Sequence, residues 1–158
     1  NEIDLSLSQQ NINALIERAA TGVQLLLDEK NGKIHFDLQA TNSDMKVDEL
    51  HITNIMRNLL DNAIKYCDKI PKITITTTDS KKGITISVRD NGIGINSSQK
   101  KQVFEKFYRI PTGNLHNVKG FGLGLYYVKS LVLAHHGTVN VESTESGSKF
   151  TLFLPYLK

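Results

Sequence analysis

Three groups of residues in this sequence have types and spacing suited to chemistry. The first is Asp90. It follows the run 83–89, in which Ile84, Ile86 and Val88 alternate with Thr85, Ser87 and Arg89, the pattern of a strand with one apolar face. Side chains along a strand repeat every two residues. One residue further, Asp90 therefore falls on the apolar face and points a carboxylate toward the core. A carboxylate there is costly unless something donates hydrogen bonds to it. Asn91-Gly92 then turns the chain, and Gly94 allows a close approach of backbone to whatever Asp90 holds. The second group is a stripe, Asn54, Asn58, Asn62, Lys65 and Tyr66, spaced by four and three residues on one helix. Asn is a poor helix former, and a merely solvated face would use Lys and Glu. Three in one stripe need an explanation, with a solvated polar face as the alternative to a functional one. The third group is glycine. Gly120, Gly122 and Gly124 open a helix, with Lys119 beside them. Free N–H groups at a helix start suit phosphate. The Gly-Lys-Ser/Thr of a P-loop is absent, and a dinucleotide fingerprint would need glycine at Tyr127.

These groups need elements to hold them. The N-terminal alternation Ile3, Leu5, Leu7 predicts a strand over 2–7, and Ser8 is the expected cap of the helix behind it. Ile12, Leu15, Ile16, Ala19, Ala20, Val23 and Leu27 extend that helix until Asn31-Gly32 ends it. Strands are expected over 33–40 and 45–47. Asp48 caps a helix over 49–67, whose apolar face is Ile52, Ile55, Met56, Leu59, Leu60, Ala63 and Ile64 and whose other face is the asparagine stripe. Pro71 breaks the chain, and 72–78 and 83–89 form a hairpin. Asn96-Ser97-Ser98 caps a short helix that ends near Phe107. Residues 108–119 have no period and form a loop longer than the usual ~4–6 residues, a length associated with function. A helix runs from Gly124 to about His136 with Gly137 as its left-handed cap, followed by strands over 138–143 and 148–154. Strands and helices are mixed, so a sheet with helices on one face is expected.

Bulk properties exclude little else. The 158 residues suffice for one domain with a core. A net charge of +3 gives no argument for nucleic acid. The single cysteine, Cys67, forms no internal disulfide, which suits a reducing compartment. No signal peptide is expected at its start, and no apolar run reaches the ~20 residues that cross a bilayer. The chain begins at Asn1 rather than Met, so it is expected to be part of a longer protein.

Four stretches in order resemble one family. Asn58-Leu59-Leu60-Asp61-Asn62-Ala63 resembles the N box of sensor histidine kinases, and Asp90-Asn91-Gly92-Ile93-Gly94 their G1 box. Phe104-Glu105-Lys106-Phe107-Tyr108-Arg109 resembles the F box, and Gly120-Phe121-Gly122-Leu123-Gly124-Leu125 the G2 box. The resemblance spans essentially the whole chain. It implies the catalytic ATP-binding domain of a two-component histidine kinase, with the two-layer α/β sandwich (Bergerat fold) shared with DNA gyrase, Hsp90 and MutL. That fold has a mixed sheet of about five strands on about three helices.

The resemblance also implies roles. Asp90 accepts from the adenine amino group, Thr151 lies near the adenine, and Tyr66 lies against base or ribose. Asn62, with Asn58 a turn before it, holds Mg²⁺, and Lys65 meets phosphate oxygens. Gly92 and Gly94 shape the adenine loop. Lys119, Arg109 and the amides around Gly120, Gly122, Leu123 and Gly124 hold the outer phosphates, with 108–119 as a lid. Phe104 and Phe107 anchor the lid or pack the core. Asn58 stands where gyrase and Hsp90 have a catalytic Glu. An amide is no general base, so transfer to an external acceptor is expected rather than hydrolysis. That acceptor is a His on an upstream helical dimerisation domain. None of His35, His51, His116, His135 or His136 has the acceptor motif, and His135-His136 read as helix-end residues favoured by the dipole. The isolated fragment is expected to be a monomer. Its parent is expected to be a homodimeric inner-membrane sensor, with this domain cytoplasmic and a response regulator as partner.

Overall fold

The computed structural model describes residues 3–108 and 124–157. The first ladder pairs β1 (Leu7–Asn11) antiparallel with β3 (Asp44–Asp48), as a separate two-stranded sheet. Between them come α1 (Ile12–Thr21), α2 (Gln24–Glu29) and β2 (Lys33–Leu38). The long helix α3 (Glu49–Lys65) follows, then β4 (Lys72–Asp79) and β5 (Gly83–Arg89). After two short 3₁₀ turns the described chain resumes with α4 (Gly124–Ala134), β6 (Thr138–Thr144) and β7 (Gly147–Pro155).

The main sheet has the order β2-β4-β5-β7-β6. Only the β2–β4 pair is parallel, because α3 intervenes as a crossover. Alternation builds the layers. Ile73, Ile75, Ile84, Ile86, Val88, Phe150, Leu152 and Leu154 are buried, while Thr74, Thr76, Thr85 and Thr151 on the other face are only partly so. One face is thus packed and one is wetted, as an antiparallel sheet allows. The helices cover the packed face: α3 lies between α1 and α4, and its residues Ile52, Ile55, Met56, Leu59 and Leu60 are almost wholly inaccessible. The sandwich architecture expected from the sequence is the one observed.

Several local expectations are corrected. Asn11, not Ser8, caps α1: its Oδ1 accepts from Ala14 N at 2.9 Å. Ser8 is taken by the strand, where it pairs with Val47. The single helix expected through Leu27 breaks at Gly22, whose N–H donates to Ala19 O, and α2 starts anew. The short helix after Asn96 is two 3₁₀ turns, Ser97–Gln99 and Gln102–Phe104. At the end of α4 the left-handed residue is His136 (φ 64°) rather than Gly137.

His135 is not a solvated helix-end cation. It is 3 % exposed. Its Nδ1 lies 2.8 Å from Leu131 O and its Nε2 accepts from Asp48 N–H at 3.0 Å. One donor and one acceptor define the neutral ring, and burial holds its pKa below the ordinary imidazole value. The ring thereby links the end of α4 to the start of α3. Asp48 caps α3 through its Oδ1, which accepts from His51 N at 3.0 Å, and its Oδ2 accepts from Ser6 N at 2.8 Å.

Candidate functional site

The strand register places Asp90. Arg89 pairs with Lys149, and Asp90 N–H continues the ladder to Ser148 O at 2.9 Å. The side chain then turns inward. Its Oδ1 accepts from Gly92 N at 2.9 Å and from Ser148 N at 3.2 Å. Among the described residues Oδ2 has no partner, so one oxygen fixes the group and the other is left for a ligand. Burial pushes the Asp90 carboxyl above its ordinary value, and the two amide donors pull it back only in part.

Asp90 lines a recess with Asn62 of α3, with Tyr66 at the C-cap of that helix, with Ile93 of the loop after β5, and with Ser148 and Phe150 of β7. Around it backbone packs on backbone. Gly92 sits where an added Cβ would strike Tyr66 O, and Ile93 N–H donates to that same oxygen at 2.9 Å. Gly94 (φ 76°) also lines the recess, and its close approach is to Thr144 O rather than to a ligand. Gly147 (φ 137°) faces Asp90 O in the same way.

Asn91 does more than turn the chain. Its Oδ1 accepts from Lys72 N at 2.8 Å and its Nδ2 donates to Ile70 O at 3.0 Å. It thereby fixes the segment that leaves α3 after Tyr66. Lys30 holds the same corner, donating to Ile64 O at 2.8 Å and Cys67 O at 3.3 Å.

The asparagine stripe divides. Asn62 belongs to the recess, whereas Asn54 and Asn58 line a neighbouring groove between α3 and the α1–α2 junction. Asn58 Oδ1 lies against Gly124, the first residue of α4. Lys65 lines neither hollow, and its Nζ is 2.9 Å from Asp61 Oδ2. Phe104 is a core residue, edge-on to Phe150 at 6.1 Å, while Phe107 is exposed. Arg109, Lys119, Gly120, Gly122, Leu123 and the loop over 108–119 beyond Tyr108 lie outside the described residues.

Thr151 is displaced from its expected place. It faces away from the core, between Ser87 and Asn140 in the sheet, and does not line the recess. Ser148 does. The signal was in the strand parity: if Phe150, Leu152 and Leu154 point inward, so does Ser148, and Thr151 cannot. Ser148 Oγ lies 3.1 Å from Ser143 Oγ, which also receives Ile95 N–H. Ser143 is thus a second residue that the sequence reading missed.

No cluster of three or more His, Cys, Asp or Glu able to hold a metal occurs among the described residues. A cation here would take amide oxygens and a ligand's phosphates. That donor set fits Mg²⁺, which binds through a few protein oxygens and keeps its waters.

Residues 47–158 match the family model of histidine kinase-, DNA gyrase B- and HSP90-like ATPases. The chain belongs to this family. Within it, the chain is the catalytic ATP-binding domain of a two-component sensor kinase. It is 45 % identical to sensor protein RprX of Bacteroides fragilis across 98 % of its own length, covering 30 % of RprX. The catalytic domain of histidine kinase ThkA superposes with a TM-score of 0.80 at 26 % identity, over 96 % of this chain and 98 % of that one. Full-length ShkA, solved with AMPPNP, superposes with a TM-score of 0.84 at 24 % identity, over all of this chain and 33 % of ShkA. The chain spans 19–31 % of the length of the curated relatives it matches. No helix among the described residues is long and apolar enough to cross a membrane.

Proposed function

We propose that this domain binds Mg-ATP and delivers its γ-phosphate to a histidine on a separate helical dimerisation domain of the same protein, from which a response regulator takes it. The observation that carries the reading is the Asp90 carboxylate, fixed by two backbone amides on one oxygen and left with a second oxygen in a recess. Adenine presents an amino donor to that oxygen. Guanine presents a carbonyl there, leaving two acceptors facing each other.

Asn62 and Asn58 hold the cation through neutral amide oxygens, and Lys65 releases Asp61 to meet phosphate. The cation supplies charge neutralisation of the phosphates, and the chain supplies position. The amide of Asn58 cannot take a proton from water, so the domain turns ATP over slowly unless an acceptor is supplied. The sensor-kinase relatives, sensor protein RprX among them, and the AMPPNP bound by ShkA support this reading.

The test is calorimetric titration of ATP and GTP in Mg²⁺, followed by transfer to the upstream helical domain. Tight ATP and weak GTP binding are expected, together with transfer that Asn62→Asp lowers. Equal binding of both nucleotides would remove the role of Asp90, and normal transfer in Asn62→Asp would remove that of Asn62.

A further inference from the structure

The strand β2 forms one edge of the main sheet. Lys33 N–H donates to Pro71 O and Gln39 N–H to Thr77 O, both toward the β4 side. Backbone groups alternate sides along a strand. The N–H and C=O of Ile34, Phe36 and Leu38 therefore all point away from the sheet. Natural edges are usually blocked by a bulge, proline or charge near their centre. Here the charges are Lys33 at one end and Asp37 on the wetted face, and the centre carries Phe36, which is 39 % exposed and lines an open groove beside Ala20 and Leu27.

This edge is complementary to itself. We infer that β2 pairs antiparallel with β2 of a second copy of this chain, about a two-fold axis through Phe36. That axis makes Phe36 face Phe36 of the second copy and Ile34 face Leu38. All three outward residues then exchange both backbone hydrogen bonds, six bonds in total by this pairing rule. An axis through His35 would leave Leu38 unpaired, and one through Asp37 would set two carboxylates face to face. On the wetted face, the Phe36 axis puts His35 opposite Asp37 twice, a donor ring against a carboxylate at the closer, non-hydrogen-bonded positions. Within one chain, among the described residues, the Asp37 Oδ1 accepts only from Gln39 Nε2, at 2.9 Å. Apolar residues meet on the helix side and polar ones on the other, so the two sheets join as one. Asp90 lies at the end of β5, two strands in from this edge, so the recess stays open. This goes beyond the monomer expected for the isolated chain.

The experiment is sedimentation equilibrium of the 158-residue chain from about 10 µM to about 1 mM, the range in which a small interface associates. The weight-average mass should rise from 17.7 kDa toward twice that value. Phe36→Pro should stay at the single-chain mass with an unchanged circular dichroism spectrum. Its lost N–H is not part of the β2–β4 ladder, and an edge strand tolerates proline there. His35→Asp should weaken association about 2- to 30-fold through two like-charge contacts, and His35→Asp combined with Asp37→His should restore it. A constant 17.7 kDa would overturn the pairing and leave the edge to an extended segment of another chain. Association that survives Phe36→Pro, or that the double exchange fails to restore, would also overturn it.

Discussion

At the scale of single residues, the recess turns on the ionisation of Asp90. Burial raises its pKa, so the neutral acid is the form the fold prefers. The stability from this group is fully present below the ordinary carboxyl range and is lost as pH rises through its raised folded value. An adenine amino group prefers the ionised form. ATP affinity should therefore fall as pH drops through the raised value, which titrations at several pH values will reveal. Asp90→Asn keeps an acceptor for Gly92 and Ser148 but turns a donor toward the base. A loss of about 2–3 kcal/mol, roughly 30- to 150-fold in affinity, is expected with unchanged thermal unfolding of the free protein. Ser148→Ala should weaken ATP binding, whereas Thr151→Ala should leave it within about twofold, since Thr151 lies on the opposite face of β7. Equal effects of the two would overturn the placement of Ser148. Asp90 was legible in the sequence because a carboxylate on an apolar face violates a local rule. Ser148 obeys every local rule, and only its register beside Asp90 gives it a role.

At the scale of elements, the start of α3 is a junction. Asp48 gathers the amides of His51 and Ser6, and its own N–H is taken by His135. Burial alone would raise the Asp48 carboxyl, but the two amides and the neighbouring His51 and His135 outweigh it and hold it below its ordinary value. The stability it contributes is present above the ordinary carboxyl range and lost as pH falls through the lowered value. Asp48→Ala should cost about 1–2 kcal/mol, measurable by denaturant unfolding, while Asp48→Asn should recover part of it. Asp48 was readable as a cap because polar and apolar patterns change abruptly there. The break at Gly22 was not, since the apolar period runs through it. Nor was the link to His135, 87 residues away in sequence. The strand at 7–11 was misread because β1 is mostly exposed and its alternation carries no burial signal.

At the scale of the whole molecule, the described residues enclose one core between the five-stranded sheet, the β1–β3 ladder and three long helices, and the recess opens where α3 meets the ends of β5 and β7. Ligand bound there stabilises the entire sheet and not a loop alone. At about 100 times its dissociation constant, Mg-ATP should add about 2.7 kcal/mol, or roughly 5–11 °C of melting temperature for a chain of this size. GTP at the same concentration should add far less, and a thermal-shift comparison checks both. The architecture was legible because long, strongly periodic segments dominate it, whereas the short turns depended on contacts between distant residues. The glycines in and beside the recess carry a last consequence. At Gly92, Gly94 and Gly147 any added side chain would meet a carbonyl oxygen of Tyr66, Thr144 or Asp90, and main chain cannot step aside as a side chain does. For a compound that fills this cavity, escape through those three positions would cost the protein the cavity itself. Resistance is thereby confined to side chains such as Tyr66, Ile93 and Ser148, a short enough set to anticipate one substitution at a time.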